Sequence, residues 1–495
     1  MLIRDVRFPG ADDRRDLRVR DGRIVEIGAG LVADADGVHD APGAVAIPGL
    51  WDQHVHVGQV AQGYSRLDTA GADSVGAVLD LVRGALHDHP ADAGALVGFG
   101  HRLVDFETAP TVGALDAVAG SRPVVLIGGD AHHAWMSSAA LRGLGLPPRD
   151  GIVGEDEWFA ALAHLDDLPG VAEGLEAGVR LLQADALARG LVGLVDMEWA
   201  ANWDLWARRD ARLRVRTATY SSTLEDVPGP TGTRVDARGL VTMGPLKVIV
   251  DGALGSRSAL CRHPYGAHGD DACGVLSVEP AELDRLLSRA RQLELDAAVH
   301  AIGDAAVGIA LGAIDRSGVH GRLEHAQMLT DEDVARMGRM GTTASVQPAH
   351  LLDDRDPTED IWGPWAAQAF RFRDLVDAGA PLAFGSDGPV APVDPWLAMA
   401  AAVHRSADDR PGWHPEQQLQ PREALAASTD AVAGLAVGGV ADLVLLDGAD
   451  ADVFADVPCG ADGVMDDAAA REAAARLRAV RPLATIVAGE VAFAR

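Results

Sequence analysis

The chain has 495 residues, 48% of them hydrophobic, and a formal net charge of −30 at pH 7. It is longer than a usual domain of about 100–200 residues, although α/β barrels run longer as single units. The acidity argues against nucleic acid, whose phosphates need a basic face, and disfavours an anionic membrane surface. Three scattered cysteines (Cys261, Cys273 and Cys459) with no CxxC pair exclude a disulfide framework and a Cys-rich zinc site. No apolar run approaches the roughly 18 residues of a membrane helix, and Met1–Asp5 lacks the apolar stretch of a signal peptide. A soluble, cytoplasmic protein with no nucleic-acid or membrane partner is expected.

Residues 1–46 read as short strands joined by turns. Val6–Phe8, Leu17–Arg20 and Ile24–Ile27 alternate apolar and polar residues, and Asp21-Gly22 is a hairpin signal. Residues 441–446 and 484–491 have the same character. The two ends are expected to pair into a small β-domain (1–46 plus 431–495) beside a central domain (47–430).

The centre alternates β-like runs at 46–51, 191–196, 213–220, 245–250, 296–300, 320–324, 342–346 and 381–385 with amphipathic segments such as 280–294 and 330–339, the latter starting at Thr330. Eight strands with intervening helices predict an α/β fold, a (β/α)8 TIM-like barrel. The interval from 58 to 190 is too long for one connection. An insertion within about 60–190 is expected, with strands of its own near 95–100 and 124–127. The alanine-rich stretch 467–476 reads as a helix.

In such a barrel, chemistry gathers at the C-terminal strand ends. Strand one ends in Asp52-Gln53-His54-Val55-His56, whose two imidazoles, two residues apart on extended chain, face the same way and can share a metal ion. Strand four carries Lys247 and then Asp251. Lys247 is the only lysine in the sequence and lies in an apolar run, where lysine is seldom buried without a role. Its amine can become neutral and react; arginine cannot. Strand five ends in His300-Ala301-Ile302-Gly303-Asp304, strand six in Glu324-His325-Ala326-Gln327, and strand eight in Gly385-Ser386-Asp387-Gly388. Each alone has a plainer explanation, a satisfied polar histidine or a turn aspartate. Their conjunction at five strand ends outweighs it.

These residues bring the sequence to a known pattern. Pro48–His56, the Lys247–Arg257 block, His300–Asp304, Glu324–Gln327 and Gly385–Asp387 resemble the amidohydrolase superfamily, most closely its YtcJ-like branch, the amidohydrolase 3 group that includes N-substituted formamide deformylases. Asp130-Ala131-His132-His133-Ala134-Trp135 is similar to that group's Asp-Gly-His-x-x-Trp segment, with Ala131 in place of glycine. The resemblance covers nearly the whole chain. It implies a barrel beside a β-sandwich-like domain built from both termini, and one or two divalent ions, zinc above all, with manganese, iron or nickel compatible. His54 and His56 would hold one ion, His300 and His325 a second. Asp387 would touch the first and act as base, and Lys247, carboxylated by carbon dioxide, would bridge the two.

The implied activity is hydrolysis of a C–N bond (an amide, or an N-acyl or N-formyl amine) by water activated at the metal, with Asp387 as general base. Deaminase, cyclic amidase and lactonase chemistry on the same scaffold are alternatives, as is a catalytically idle metal-binding interaction protein. The partner is a small-molecule substrate. His132, Trp135, Asp251, Arg257 and Gln327 are candidate substrate contacts, with Tyr265 and Gln347 behind them; core packing explains Trp135 equally well. Trp51, Trp199, Trp362 and Trp365 read either as pocket or as core, and Cys261 as a small apolar residue. A homodimer is left open, and no pattern marks an interface.

Overall fold

The computed structural model describes residues 1–33, 37–88, 94–199, 201–265, 272–461 and 463–495. They form two compact units, Met1–His56 with Gln183–Arg495, and Val57–Leu182.

The first unit contains the barrel. Its eight strands are Leu50–Val55, Leu191–Asp196, Arg214–Thr219, Val241–Ile249, Ala297–Ala301, Gly321–His325, Thr343–Val346 and Leu382–Phe384. Each pairs in parallel with the next in sequence, from strand one to strand eight. A parallel bridge between Val55 and Gly388 joins the last strand's exit to the first. The strands are short and mostly buried, as expected for a parallel sheet covered on its outer face by helices. Those helices include Pro280–Gln292 and Asp331–Met340, the second opened by a Thr330–Asp333 capping box.

Two four-stranded sheets complete this unit. Leu2–Val6, Arg15–Arg20, Arg23–Gly28 and Val38–Asp40 form one, and Val45–Pro48, Leu443–Leu446, Ala484–Val487 and Glu490–Ala494 the other. Ile3, Leu17 and Ile24 of the first share an apolar core with Ala46, Leu443 and Ile486 of the second. The turn at Asp21-Gly22 has positive φ at both residues, 48° and 71°, the geometry that makes such dipeptides good hairpin turns.

Four boundaries differ from those expected from the sequence, the first two for a backbone reason. The run at 46–51 is not one strand. Val45–Pro48 pairs antiparallel with Leu443–Leu446, and the barrel strand begins only at Leu50. Between them Pro48 lacks a donor for a ladder, and a Cβ on Gly49 would fall 2.4 Å from the Val192 side chain, so only glycine lets the chain pass from one sheet to the other there. The stretch 484–491 is a hairpin, broken by Ala488 and Gly489 at φ 50° and 82°. The first strand is Leu2–Val6, earlier than Val6–Phe8, and strand four begins at Val241, four residues before 245.

The second unit is a mixed five-stranded sheet, in the order Val153–Gly154, His133–Met136, Val124–Gly128, Leu96–His101 and Leu67–Asp68, packed with helices that include Val75–Asp88 and Val112–Ala119. No helix among the described residues is long and apolar enough to cross a membrane.

Candidate metal centre

On strand one, Asp52 and His54 alternate along the extended chain with His56 just beyond its end. Asp52 Oδ1 accepts the backbone N–H of Ser386 at 2.9 Å and of His54 at 3.1 Å, tying strand one to the turn after strand eight. Burial pushes the Asp52 carboxyl up to about 6, against the pull of the Ser386 donor. The Asp387 N–H donates to the His54 carbonyl at 2.6 Å. A Cβ on Gly385 would stand 2.6 Å from the His54 nitrogen, so this seam requires glycine. Asp387 itself has φ 55°, a left-handed conformation that costs a non-glycine residue of order 1–3 kcal/mol and is found at functional turns. It aims the carboxylate inward. Asp387 Oδ1 lies 3.5 Å from His54 Nε2 and 3.4 Å from His56 Nε2. These three residues offer ligand atoms all within 4.8 Å of one another.

Lys247 enters the same point from strand four. It is 3% exposed, with Nζ 3.0 Å from His54 Nε2. Burial pulls the amine down to about 8, within reach of the neutral form at working pH. Burial, with Lys247 adding to it, pulls the His54 imidazole down to about 4, so it is neutral, the form that binds a metal. His54 Nδ1 lies 2.7 Å from Glu324 Oε2, which makes Nδ1 the protonated nitrogen and leaves the Nε2 lone pair facing Lys247 and Asp387.

His300 and His325 follow on strands five and six. His300 Nε2 is 3.1 Å from the Gly252 carbonyl and 3.3 Å from Asp251 Oδ1, which leaves Nδ1 for the centre. The His325 ring is 4.5 Å from that of His300 and 5.1 Å from that of His54. His325 (φ 68°) and Ala326 (φ 45°) again occupy left-handed backbone.

A residue absent from the sequence candidates joins them. His350, in the 3-10 turn Pro348–His350 after strand seven, has Nε2 3.2 Å from the Ser386 carbonyl and 3.9 Å from Asp387 Oδ2. With His325 and Asp387 it forms a second group of ligand atoms within 4.8 Å. The signal was present: Gln347-Pro348-Ala349-His350 follows directly on strand seven, the rule of position that selected the other residues.

The substrate candidates scatter. Asp251 is committed to backbone, accepting N–H bonds from Leu260, Ile302 and Gly303 at 2.9–3.0 Å, and so shapes the loops beside His300. Gln327 donates to Asp354 at 3.2 Å. Arg257 is exposed on a left-handed residue at φ 54°. Tyr265 is buried, its hydroxyl donating to the Ala259 carbonyl. Burial pushes the Cys261 thiol up to about 11, away from nucleophilic use. In the second unit, His132 is exposed 3.3 Å from Glu155, and Trp135 is fully buried with Nε1 donating to the Thr111 carbonyl. Trp51 and Trp362 are buried. Trp199 and Trp365 are about half exposed, stacked on Tyr220 and His263.

The donor set fits a divalent ion. His56 Nδ1 is buried without a hydrogen-bond partner, and neutral imidazoles beside a carboxylate suit zinc and its neighbours in the transition series.

A model of the amidohydrolase family matches residues 37–493. The putative amidohydrolase YtcJ of Bacillus subtilis (strain 168) is 29% identical over 79% of this chain and 80% of its own length. The N-substituted formamide deformylase of Arthrobacter pascens is 25% identical over 82% and 83%. Among solved structures, an uncharacterized metal-dependent hydrolase from Pyrococcus horikoshii OT3 superposes with a TM-score of 0.75 at 25% identity, covering 90% of this chain and 97% of that one.

Proposed function

Since the chain belongs to the amidohydrolase family and is a metal-dependent hydrolase of that superfamily, we propose that the bond it cleaves is the C–N bond of an amide or of an N-acyl or N-formyl amine. The observation that carries this reading is the convergence of His54, His56 and Asp387 on one point beside the buried Lys247. The names of two curated relatives, an amidohydrolase and a formamide deformylase, support the C–N assignment.

His54, His56 and Asp387 would hold one ion, and His325 with His300 or His350 a second. A bound divalent ion supplies Lewis acidity, polarising a carbonyl oxygen and bringing the pKa of water toward about 7. Asp387 is the base. Its carboxyl is pushed up by burial, but the facing imidazoles of His54, His56, His325 and His350 outweigh this and hold it well below the usual carboxylate range. It is therefore ionised and ready to take a proton from the attacking water, then pass it to the leaving nitrogen, which must be protonated to depart as an amine.

Lys247 is the site of carboxylation. Its neutral amine adds carbon dioxide: an N–C bond forms, one C=O bond becomes a carboxylate, and a proton leaves the nitrogen. Counted from the ammonium form, which first gives up one proton to become the neutral amine, two protons are released in all and a cation is replaced by an anion, a change of two charges that a divalent cation offsets. The product is a bidentate oxygen ligand on the strand facing His54.

The test is hydrolysis of a panel of N-substituted formamides, N-acyl amines, cyclic amides, lactones and aminated heterocycles by zinc-loaded and metal-stripped protein. The reading expects turnover of the open-chain amides by the loaded protein, lost on stripping and restored by metal. Turnover confined to lactones or heterocyclic amines contradicts the C–N amide assignment.

A further inference from the structure

We propose that Glu324 and Arg322 are positioning residues for His54, and that this pair sets the metal affinity of the centre. The proposal rests on the metal reading above. Glu324 is fully buried, where a carboxylate is rare and costly unless paired. Both of its oxygens are engaged. Oε2 faces His54 Nδ1 at 2.7 Å, and Oε1 accepts from Arg322 Nε at 2.5 Å.

Arg322 stands two residues before Glu324 on strand six, so the two share one side of the strand and the pairing is built into its geometry. The remaining guanidinium nitrogens reach further. Nη1 donates to Gln53 Oε1 at 2.9 Å, and Nη2 to Ser345 Oγ at 3.1 Å and to the Gln53 carbonyl. Gln53 in turn donates to Asp430 at 2.9 Å, and Asp430 is held by Arg216 at 2.7 Å. Strands one, three, six and seven are thus joined by one polar network whose inner end is a metal ligand. Its outer end opens on a cleft of about 630 Å³ lined by Gln53, Arg216, Arg322 and Asp430. Solvent on that side makes the arginine charge inexpensive to keep, and the arginine makes the buried carboxylate tolerable.

The consequence falls on His54. A carboxylate on Nδ1 fixes the tautomer, restrains the ring and makes Nε2 a better donor to a cation. Only a planar fork reaches Glu324, Gln53 and Ser345 together; a lysine in its place would keep the charge and lose the geometry.

The experiment titrates metal-free wild type, Glu324→Gln and Arg322→Lys with zinc in competition with a chromogenic chelator, records the cobalt-substituted d–d spectrum of each, and separates kcat from KM on the best substrate. Both variants are expected to bind zinc about 10–100-fold more weakly, the loss typical when a partner behind a metal-binding histidine is removed. Their cobalt spectra are expected to change and kcat to fall more than KM rises. Glu324→Asp, which keeps a carboxylate at this position, should retain part of the affinity lost in Glu324→Gln. Wild-type affinity with an unchanged spectrum in Glu324→Gln overturns the proposal while leaving the metal reading intact. If Glu324→Gln does not fold, the same result in Arg322→Lys overturns it. Wild type that binds neither zinc nor cobalt defeats both readings.

Discussion

Lys247→Arg protein is expected to lose at least about three orders of magnitude in kcat/KM on any amide the wild type hydrolyses, while unfolding at close to the wild-type temperature. Arginine retains the cation and the length, but it holds its proton at every working pH and cannot take up carbon dioxide. Its guanidinium would also stand where Nζ now lies, 3.0 Å from His54 Nε2, and repel a divalent ion from that nitrogen. Losing several kcal/mol of charge stabilisation at the reacting carbonyl, at about 1.4 kcal/mol per tenfold, gives this size. Steady-state kinetics with parallel metal analysis measures it. Lys247→Ala provides the complement: a short carboxylic acid added to the buffer should restore part of its metal content and rate, because it can occupy the place of the carbamate. Full activity in Lys247→Arg would remove the lysine from the mechanism.

Asp387→Asn is expected to lower kcat by about 10²–10⁴, the usual worth of a placed general base, with a much smaller change in KM. The amide has the shape of the carboxylate, and the N–H bond from residue 387 to the His54 carbonyl belongs to the backbone, so the turn after strand eight should survive. What disappears is a base that the surrounding imidazoles keep ionised. Pre-steady-state and steady-state rates, compared with zinc content, separate a lost base from a lost ion. A variant that retains both its zinc and its wild-type kcat would assign the proton transfer elsewhere.

The barrel was legible because buried parallel strands leave compact apolar runs between amphipathic helices, as at Leu191–Asp196 and Thr343–Val346. The candidate residues were legible because a strand end fixes direction: His54, His56, His300, His325 and Asp387 stood out by their conjunction at strand ends, and Lys247 as the one lysine of the sequence, set in an apolar run. Two kinds of feature were hidden. Where the chain changes sheet within one apolar run, as at Pro48-Gly49, hydrophobicity does not mark the break; a proline and a close backbone approach do. And residues that act through another side chain carry no mark of their own. Asp52, Arg322 and Glu324 read as ordinary charges in a strand until their partners are known. Trp135 illustrates the opposite difficulty: the segment around it has the character of a recognition motif, yet the ring is packed inside the core of its own unit.

The most direct measurement is a crystal structure of the protein grown with zinc and bicarbonate, with anomalous data collected on both sides of the zinc edge. The account predicts an anomalous peak held by His54, His56 and Asp387, and continuous density extending from Lys247 Nζ as a planar carbamate. A bare ammonium on Lys247, with zinc absent or bound elsewhere, would contradict it.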